Sequence, residues 1–400
     1  MTSKPVLLRR GRPWGGTEVA DILVCDGRIA RIEPDIKASS AEVVEISNML
    51  VLPGLVEAHC HLDKTLFGGE WVPHSAGDAL ADRIANERRQ RGELGIPDID
   101  RITMLLERMV ISGTTHVRTH TDVDSSLGLS GIEAVSEAVA RMGNRITVQQ
   151  VAFPQYGLLA DERTEAFLDR ALKAGADVVG GLDPASLDRD PVRHLDVVFD
   201  LALRHDAAID IHLHDPGTLG VWQLELIAEQ TIGTGLSGRV AVSHAYGLGQ
   251  ADEATQERVA DLLAVAGVSL VTAAVYDFPV VPVRKLRAAG VNVACGHDGI
   301  RDLWGPYGSG DMLERAMHLA YRSTFRRDAD IELALEAATY GGAAVLGLTK
   351  YGLRPGATAD LVVVNARNAA EAVVARPTRR LVMKSGRVVA SNGQLEPFTA

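Results

Sequence analysis

Apolar positions along this chain follow two alternating rhythms. From about residue 51, short runs rich in Val, Ile and Ala are separated by stretches whose apolar residues recur every three or four positions. Ile132, Val135, Val139 and Met142 thereby share one helix face, as do Leu168 and Leu172. Eight of the short runs read as strands: 54–61, 116–122, 146–153, 177–183, 208–214, 239–244, 268–273 and 292–298. Strands that alternate with helices pair in parallel, and eight such repeats predict an α/β fold, a closed (β/α)8 TIM barrel.

The two ends of the chain carry strand patterns only. Asp26-Gly27 stands between the β formers of 21–32, a strong hairpin signature, and residues 360–364 and 380–389 again give strand, turn and strand. The expectation is a small β-sandwich assembled from both termini, 1–52 and 350–400, flanking a catalytic barrel of 53–349; the alternative is two unrelated edge hairpins. The connection after strand 1, residues 65–97, is polar and holds Arg83, Glu87, Arg88, Arg89, Arg91 and Glu93. Such a run reads as a solvated helix face. As the first strand-to-helix connection it would also overhang the barrel mouth, where it can form a lid.

Composition narrows the function. With 400 residues, 46% hydrophobic and 23% charged, the chain is long enough for one large core. A net charge of −11 with both signs interspersed offers no basic stripe, which argues against a nucleic-acid partner. No stretch reaches the roughly 18 apolar residues of a membrane span, and the first residues lack a long apolar leader, so no membrane partner and a cytoplasmic location are expected. Three scattered cysteines, Cys25, Cys60 and Cys295, make neither a disulfide framework nor a thiolate metal site. Any metal must use histidine and carboxylate.

His59-Cys60-His61 closes strand 1, and the alternation of side chains along a strand puts both imidazoles on one face. Alone, that spacing carries little weight. Strand 5, however, runs into His212-Leu213-His214-Asp215, strand 6 into Ser243-His244, and strand 8 into Gly296-His297-Asp298. Chemistry in a (β/α)8 barrel sits at the C-terminal strand ends, so these four termini converge on one mouth and read as a metal site. Alternation places His214 with His212 and turns His297 away from Asp298. His120 and Asp122, ending strand 2, read as structural support; His74, His116, His194, His205 and His318 lie away from strand ends, and no role is expected of them.

This set resembles the amidohydrolase superfamily, and the likeness covers the whole chain. His59-Cys60-His61-Leu62-Asp63, Val151-Ala152-Phe153-Pro154-Gln155 and Gly296-His297-Asp298 resemble its cytosine deaminase group. Residues 118–125, 180–185, 214–220 and 300–304 resemble, more narrowly, the N-isopropylammelide isopropylamidohydrolases, which hydrolyse an exocyclic amine from an s-triazine ring. The resemblance implies one divalent ion, Zn²⁺ or Fe²⁺, on His59, His61, His212 and Asp298. Strand 4 ends at 178–183 without the carboxylated lysine that bridges two ions in other members. The resemblance further implies that Asp298 takes the water proton, that His244 lies beside the nucleophile, that Gln155 holds an amide-like ring edge, and that the protein is a homo-oligomer.

Departures from the family pattern matter as much. Cytosine deaminases carry Glu three residues after the strand-5 histidine, whereas this chain has Asp215, so His214 is expected to shuttle the proton with Asp215 orienting it. Lys64 can hold a ring oxo group, and Trp304 can wall a flat ring. Gly299 stands where cytosine deaminases carry Asp and the triazine enzymes Asn, which predicts a roomier or less polar pocket that does not favour cytosine. The expected activity is metal-dependent removal of ammonia or an alkylamine from a small heterocycle, an s-triazine such as an N-alkyl ammelide or a pyrimidine of the cytosine type. The alternatives are ring-opening hydrolysis of a cyclic amide at the same site, and a noncatalytic binding barrel, whose mark would be lost ligands.

Overall fold

The eight predicted runs become eight parallel strands in a computed structural model: β1 (Leu55–Cys60), β2 (Thr114–Asp122), β3 (Thr147–Phe153), β4 (Val178–Leu182), β5 (Ala208–Leu213), β6 (Val240–His244), β7 (Ser269–Thr272) and β8 (Val293–Cys295). They lie side by side in chain order. The structure describes residues 4–77 and 80–397; the outermost parts of the predicted terminal unit and residues 78–79 of the charged connection lie outside the described residues. The barrel closes where Cys60 bridges Asp298 in parallel and the Asp298 amide donates to the His59 carbonyl at 2.9 Å. A Cβ at Gly296 would lie 2.4 Å from that carbonyl and 2.5 Å from Glu57 Oε1, so only glycine lets β8 dock on β1.

Helices cover the barrel through the faces the periodicity marked. Ser130–Met142 buries Ile132, Val135 and Met142, and Ile99–Ile111 buries Ile102, Leu105, Leu106, Met109 and Val110 behind an Asp98 cap on the amides of Asp100 and Arg101. Each such side chain contributes about 1.5–3 kcal/mol on burial, and truncating Leu105 to Ala would cost about 2–5 kcal/mol. The barrel floor is polar and cross-linked around one arginine. Arg118 on β2 donates to Gln149 Oε1 at 2.8 Å, Asp210 Oδ2 at 2.9 Å and the Val345 carbonyl at 2.7 Å.

The two chain ends meet in one nine-stranded sheet. Leu50–Pro53 pairs antiparallel with Leu361–Val364, with Val51 opposite Val363. Val6–Pro13 joins the two layers of the predicted sandwich: its first half pairs with Ala20–Cys25 and Glu42–Glu45, and its last residues pair with Leu50–Pro53. Leu8, Ile22, Ile29, Val51, Leu361 and Met383 share its core. This sheet buttresses the start of β2, where Lys384 Nζ donates to His116 Nε2 at 2.9 Å and sits 3.3 Å from Asp360 Oδ2. Burial, reinforced by the Lys384 charge, pushes the His116 pKa down to about 3. No helix among the described residues is long and apolar enough to cross a membrane.

Candidate active site

A chain of hydrogen bonds rising from the floor sets the first histidine. Ser243 Oγ donates to Asp210 Oδ1 at 2.8 Å, and a hydroxyl has one proton to give. The same oxygen therefore accepts from His59 Nδ1, also at 2.8 Å, leaving the His59 Nε2 lone pair free. His61 Nδ1 donates to the His120 carbonyl at 3.0 Å and frees its Nε2 in the same way. Both Nε2 atoms face Asp298 Oδ1, at 3.6 Å and 3.3 Å. His212 joins His59 and His61, and His244 joins His59 and Asp298, with ligand atoms in each trio within 4.8 Å of one another.

Burial is incompletely satisfied here. His59 Nε2, both ring nitrogens of His212 and His244 Nε2 are buried without a hydrogen-bond partner. Native interiors rarely leave such groups unpaired, because each costs about 1–3 kcal/mol. Three imidazoles and a carboxylate are the donor set of a divalent ion such as zinc, so the residues fit one. Burial and the Lys64 charge, against the attraction of Asp298, push the His61 pKa down to about 3, and burial holds His212 and His244 well below the usual histidine range. All three rings thus offer lone pairs at neutral pH. Burial would raise Asp298, but the imidazoles of His59, His61 and His244 gathered around it hold it well below the carboxylate range. His244 and Asp298 adopt left-handed backbone, φ 71° and 65°, a strain of about 1–3 kcal/mol that clusters at functional sites. A further trio, His59, His120 and Asp210, lies deeper, but Asp210 is already engaged by Arg118 and Ser243.

The proton side differs from expectation. His214 stacks on His244 with ring centroids 4.4 Å apart, and its Nδ1 meets Asp183 Oδ2 at 2.8 Å. Burial works against a charged His214, but Asp183, then Asp298 and Asp215, raise its pKa above the usual value. Asp215 does not orient it. Its Oδ2 accepts from Gln223 Nε2 at 2.8 Å and the Ser186 amide at 3.3 Å, because the alternation that turns His214 inward turns its neighbour away. Asp183 ends the predicted strand 4, in the same ring of polar strand ends as the histidines, and that position is the sequence feature that points to it.

Three substrate-binding candidates converge. Lys64 Nζ donates to Gln155 Oε1 and lies 3.0 Å from Asp122 Oδ1 and 3.8 Å from Glu87 Oε1, while Trp304 Nε1 donates to Glu87 Oε2 at 2.7 Å. Glu87 corrects the solvated-face expectation for the charged connection. It is only 2% exposed, since the helix Leu80–Gln90 turns it onto Lys64 and Trp304 while Arg88 and Arg89 face outward. The connection covers the mouth. Burial, opposed by the Lys64 charge, pushes the Asp63 pKa up to about 6, and holds Asp122 well above its usual value. The room expected at Gly299 is also filled. A Cβ there would lie 2.2 Å from Asp302 Oδ2.

A (β/α)8 barrel with this ring of histidines and carboxylates at its mouth has the architecture of a hydrolase. The chain belongs to the amidohydrolase family, whose pattern matches residues 98–390, and it is an enzyme acting on C–N bonds other than peptide bonds. Over 380 residues it is 36% identical to the N-isopropylammelide isopropyl amidohydrolase of Pseudomonas sp. (strain ADP), spanning 93% of each chain. The fold matches the crystal structure of N-isopropylammelide isopropylaminohydrolase from Burkholderia multivorans ATCC 17616 with a TM-score of 0.95 at 44% identity, covering 98% of this chain and 100% of that one. It also matches 5-methylcytosine deaminase from Klebsiella pneumoniae liganded with 5-fluorocytosine, with a TM-score of 0.85 at 26% identity and 99% of each chain covered.

Proposed function

We propose that this amidohydrolase removes an exocyclic amine, an alkylamine before ammonia, from a nitrogen heterocycle of the N-alkyl ammelide type. The observation that carries the reading is the set of unpartnered nitrogens on His59, His212 and His244 converging beside Asp298. The names of the relatives at 36% and 44% identity support the triazine ring and the alkyl substituent. His59, His61, His212 and Asp298 would hold one ion, Zn²⁺ or Fe²⁺, which when bound would supply Lewis acidity at neutral pH.

The chain's own residues do the rest. Asp298, ionised between two histidines, accepts the proton of the attacking water. His244, neutral and with Nε2 free, orients that water and donates to the oxygen as charge develops on it. A C–O bond forms at the ring carbon, and the C–N bond breaks as the leaving amine takes a proton. His214 delivers that proton from Nε2, its Nδ1 held by Asp183, while Asp215 braces the loop through Gln223. Gln155 and Lys64 face the polar ring edge, and Trp304 walls the ring. In this reading residues 53–349 form the catalytic unit, and 1–52 with 350–400 buttress its base.

The test is a panel of cytosine, isocytosine, ammelide and N-alkyl ammelides scored for released amine. N-alkyl ammelides should turn over with the ring intact and cytosine poorly. An opened ring would replace this reading with cyclic amide hydrolysis, and full activity in a metal-free preparation would overturn the role of the ion.

A further inference from the structure

Gly299 follows the ligand Asp298 directly, so a side chain at 299 would project beside the cluster. That place is taken from three residues further on. A Cβ at Gly299 would meet Asp302 Oδ2 at 2.2 Å, Cγ at 2.9 Å and Oδ1 at 3.1 Å. The carboxylate cannot easily yield, because Oδ1 accepts from the amides of Trp304 at 2.8 Å and Gly305 at 2.9 Å. Those bonds cap the loop and account for one oxygen only. Among the described residues, no hydrogen bond reaches Oδ2, although the residue is 2% exposed. Its charged neighbours are the site's own, Asp298 and Lys64.

We propose that Asp302 is a substrate-binding and specificity-determining residue, whose free Oδ2 accepts a hydrogen bond from a ring N–H or amino group of the heterocycle bound beside Asp298. The proposal rests on the heterocycle reading above and deepens it. It assigns to the ring a donor edge at the point where Asp302 occupies the room beside the glycine. A loop cap alone explains Oδ1, but not a second oxygen that no protein donor holds, placed 2.2 Å from the Gly299 Cβ position.

Asp302→Asn separates the two roles, since its amide oxygen can keep the bonds to Trp304 and Gly305 while the outward atom changes from acceptor to donor. Assayed at pH 8, KM for an N-alkyl ammelide should rise about 10-fold to 100-fold, the loss expected when a hydrogen bond to a charged group is removed. kcat should change much less, and Tm should stay near the wild-type value. Gly299→Ala, which removes no polar atom from the site, should raise KM in the same direction by displacing the carboxylate. A wild-type KM in either variant overturns the proposal and leaves Asp302 as a loop cap. If the wild-type protein releases no amine from any ring, the activity reading fails separately. Calorimetric binding of ammelide then decides the role of Asp302: about tenfold weaker binding by Asp302→Asn supports it, and equal binding overturns it.

Discussion

Both ends of the barrel bury charge, and they do so in opposite ways. At the base, Arg118 spends its guanidinium on Gln149, Asp210 and the Val345 carbonyl, and Arg379 spends its own on Asp311 and the carbonyls of Ser112 and Pro377. At the mouth, one lysine faces three carboxylates, Asp63, Asp122 and Glu87, and buried nitrogens of His59, His120, His212 and His244 have no hydrogen-bond partner. The same chemistry of burial therefore yields saturation below and deficit above. A saturated charge network holds strands in place, while an unsaturated one is shaped around something that arrives later.

The largest break in this contrast comes from the mouth. His61→Ala or Asp298→Ala should abolish amine release, because each removes one of the residues proposed to hold the ion. Chelation of the wild type should do the same, with Zn²⁺ or Fe²⁺ restoring activity. At the base the pattern inverts. Arg118→Met leaves the buried Asp210 carboxylate without its cation, and urea unfolding should show a loss of about 3–5 kcal/mol. Ser243→Ala tests the link between the ends: with the His59 tautomer released, ion affinity measured by chelator competition should fall about 10-fold to 100-fold.

The smallest effect is a slope. His116 has a folded pKa of about 3, below its unfolded value, so the unfolded chain binds the extra proton between these values. Its contribution to stability is present above about pH 6.5 and is lost as pH falls toward 3. Tm should therefore fall on acidification. His116→Gln should flatten that fall by up to about 1.4 kcal/mol per pH unit, one proton's worth. An unchanged slope would remove His116 from the account.

Strand order and the metal-ligand candidates were legible because both depend on local spacing. Alternation within β1 and β5 is a property of a few consecutive residues, and the barrel rule converts strand ends into neighbours. Partners that meet only through the fold were not legible. Glu87 bonds to Trp304 across 217 positions, and nothing in a run of alternating charges shows which carboxylate turns inward. Asp215 had the right residue type and the wrong face. At the chain ends the assembly of both termini into one β unit was legible, but the register that seats Leu50–Pro53 against Leu361–Val364 was not.

The seam between β1 and β8 has a consequence for how the enzyme matures. His59 and His61 leave the ribosome early, yet Asp298 donates its amide to the His59 carbonyl and joins the proposed ligand set only after the eighth strand has emerged. Contacts this distant in sequence form slowly and late. A nascent chain arrested before β8 would hold the histidines without their carboxylate, so productive ion capture should follow translation. Ribosome-bound fragments ending before residue 298 should retain little metal, and those long enough to close the seam should retain it.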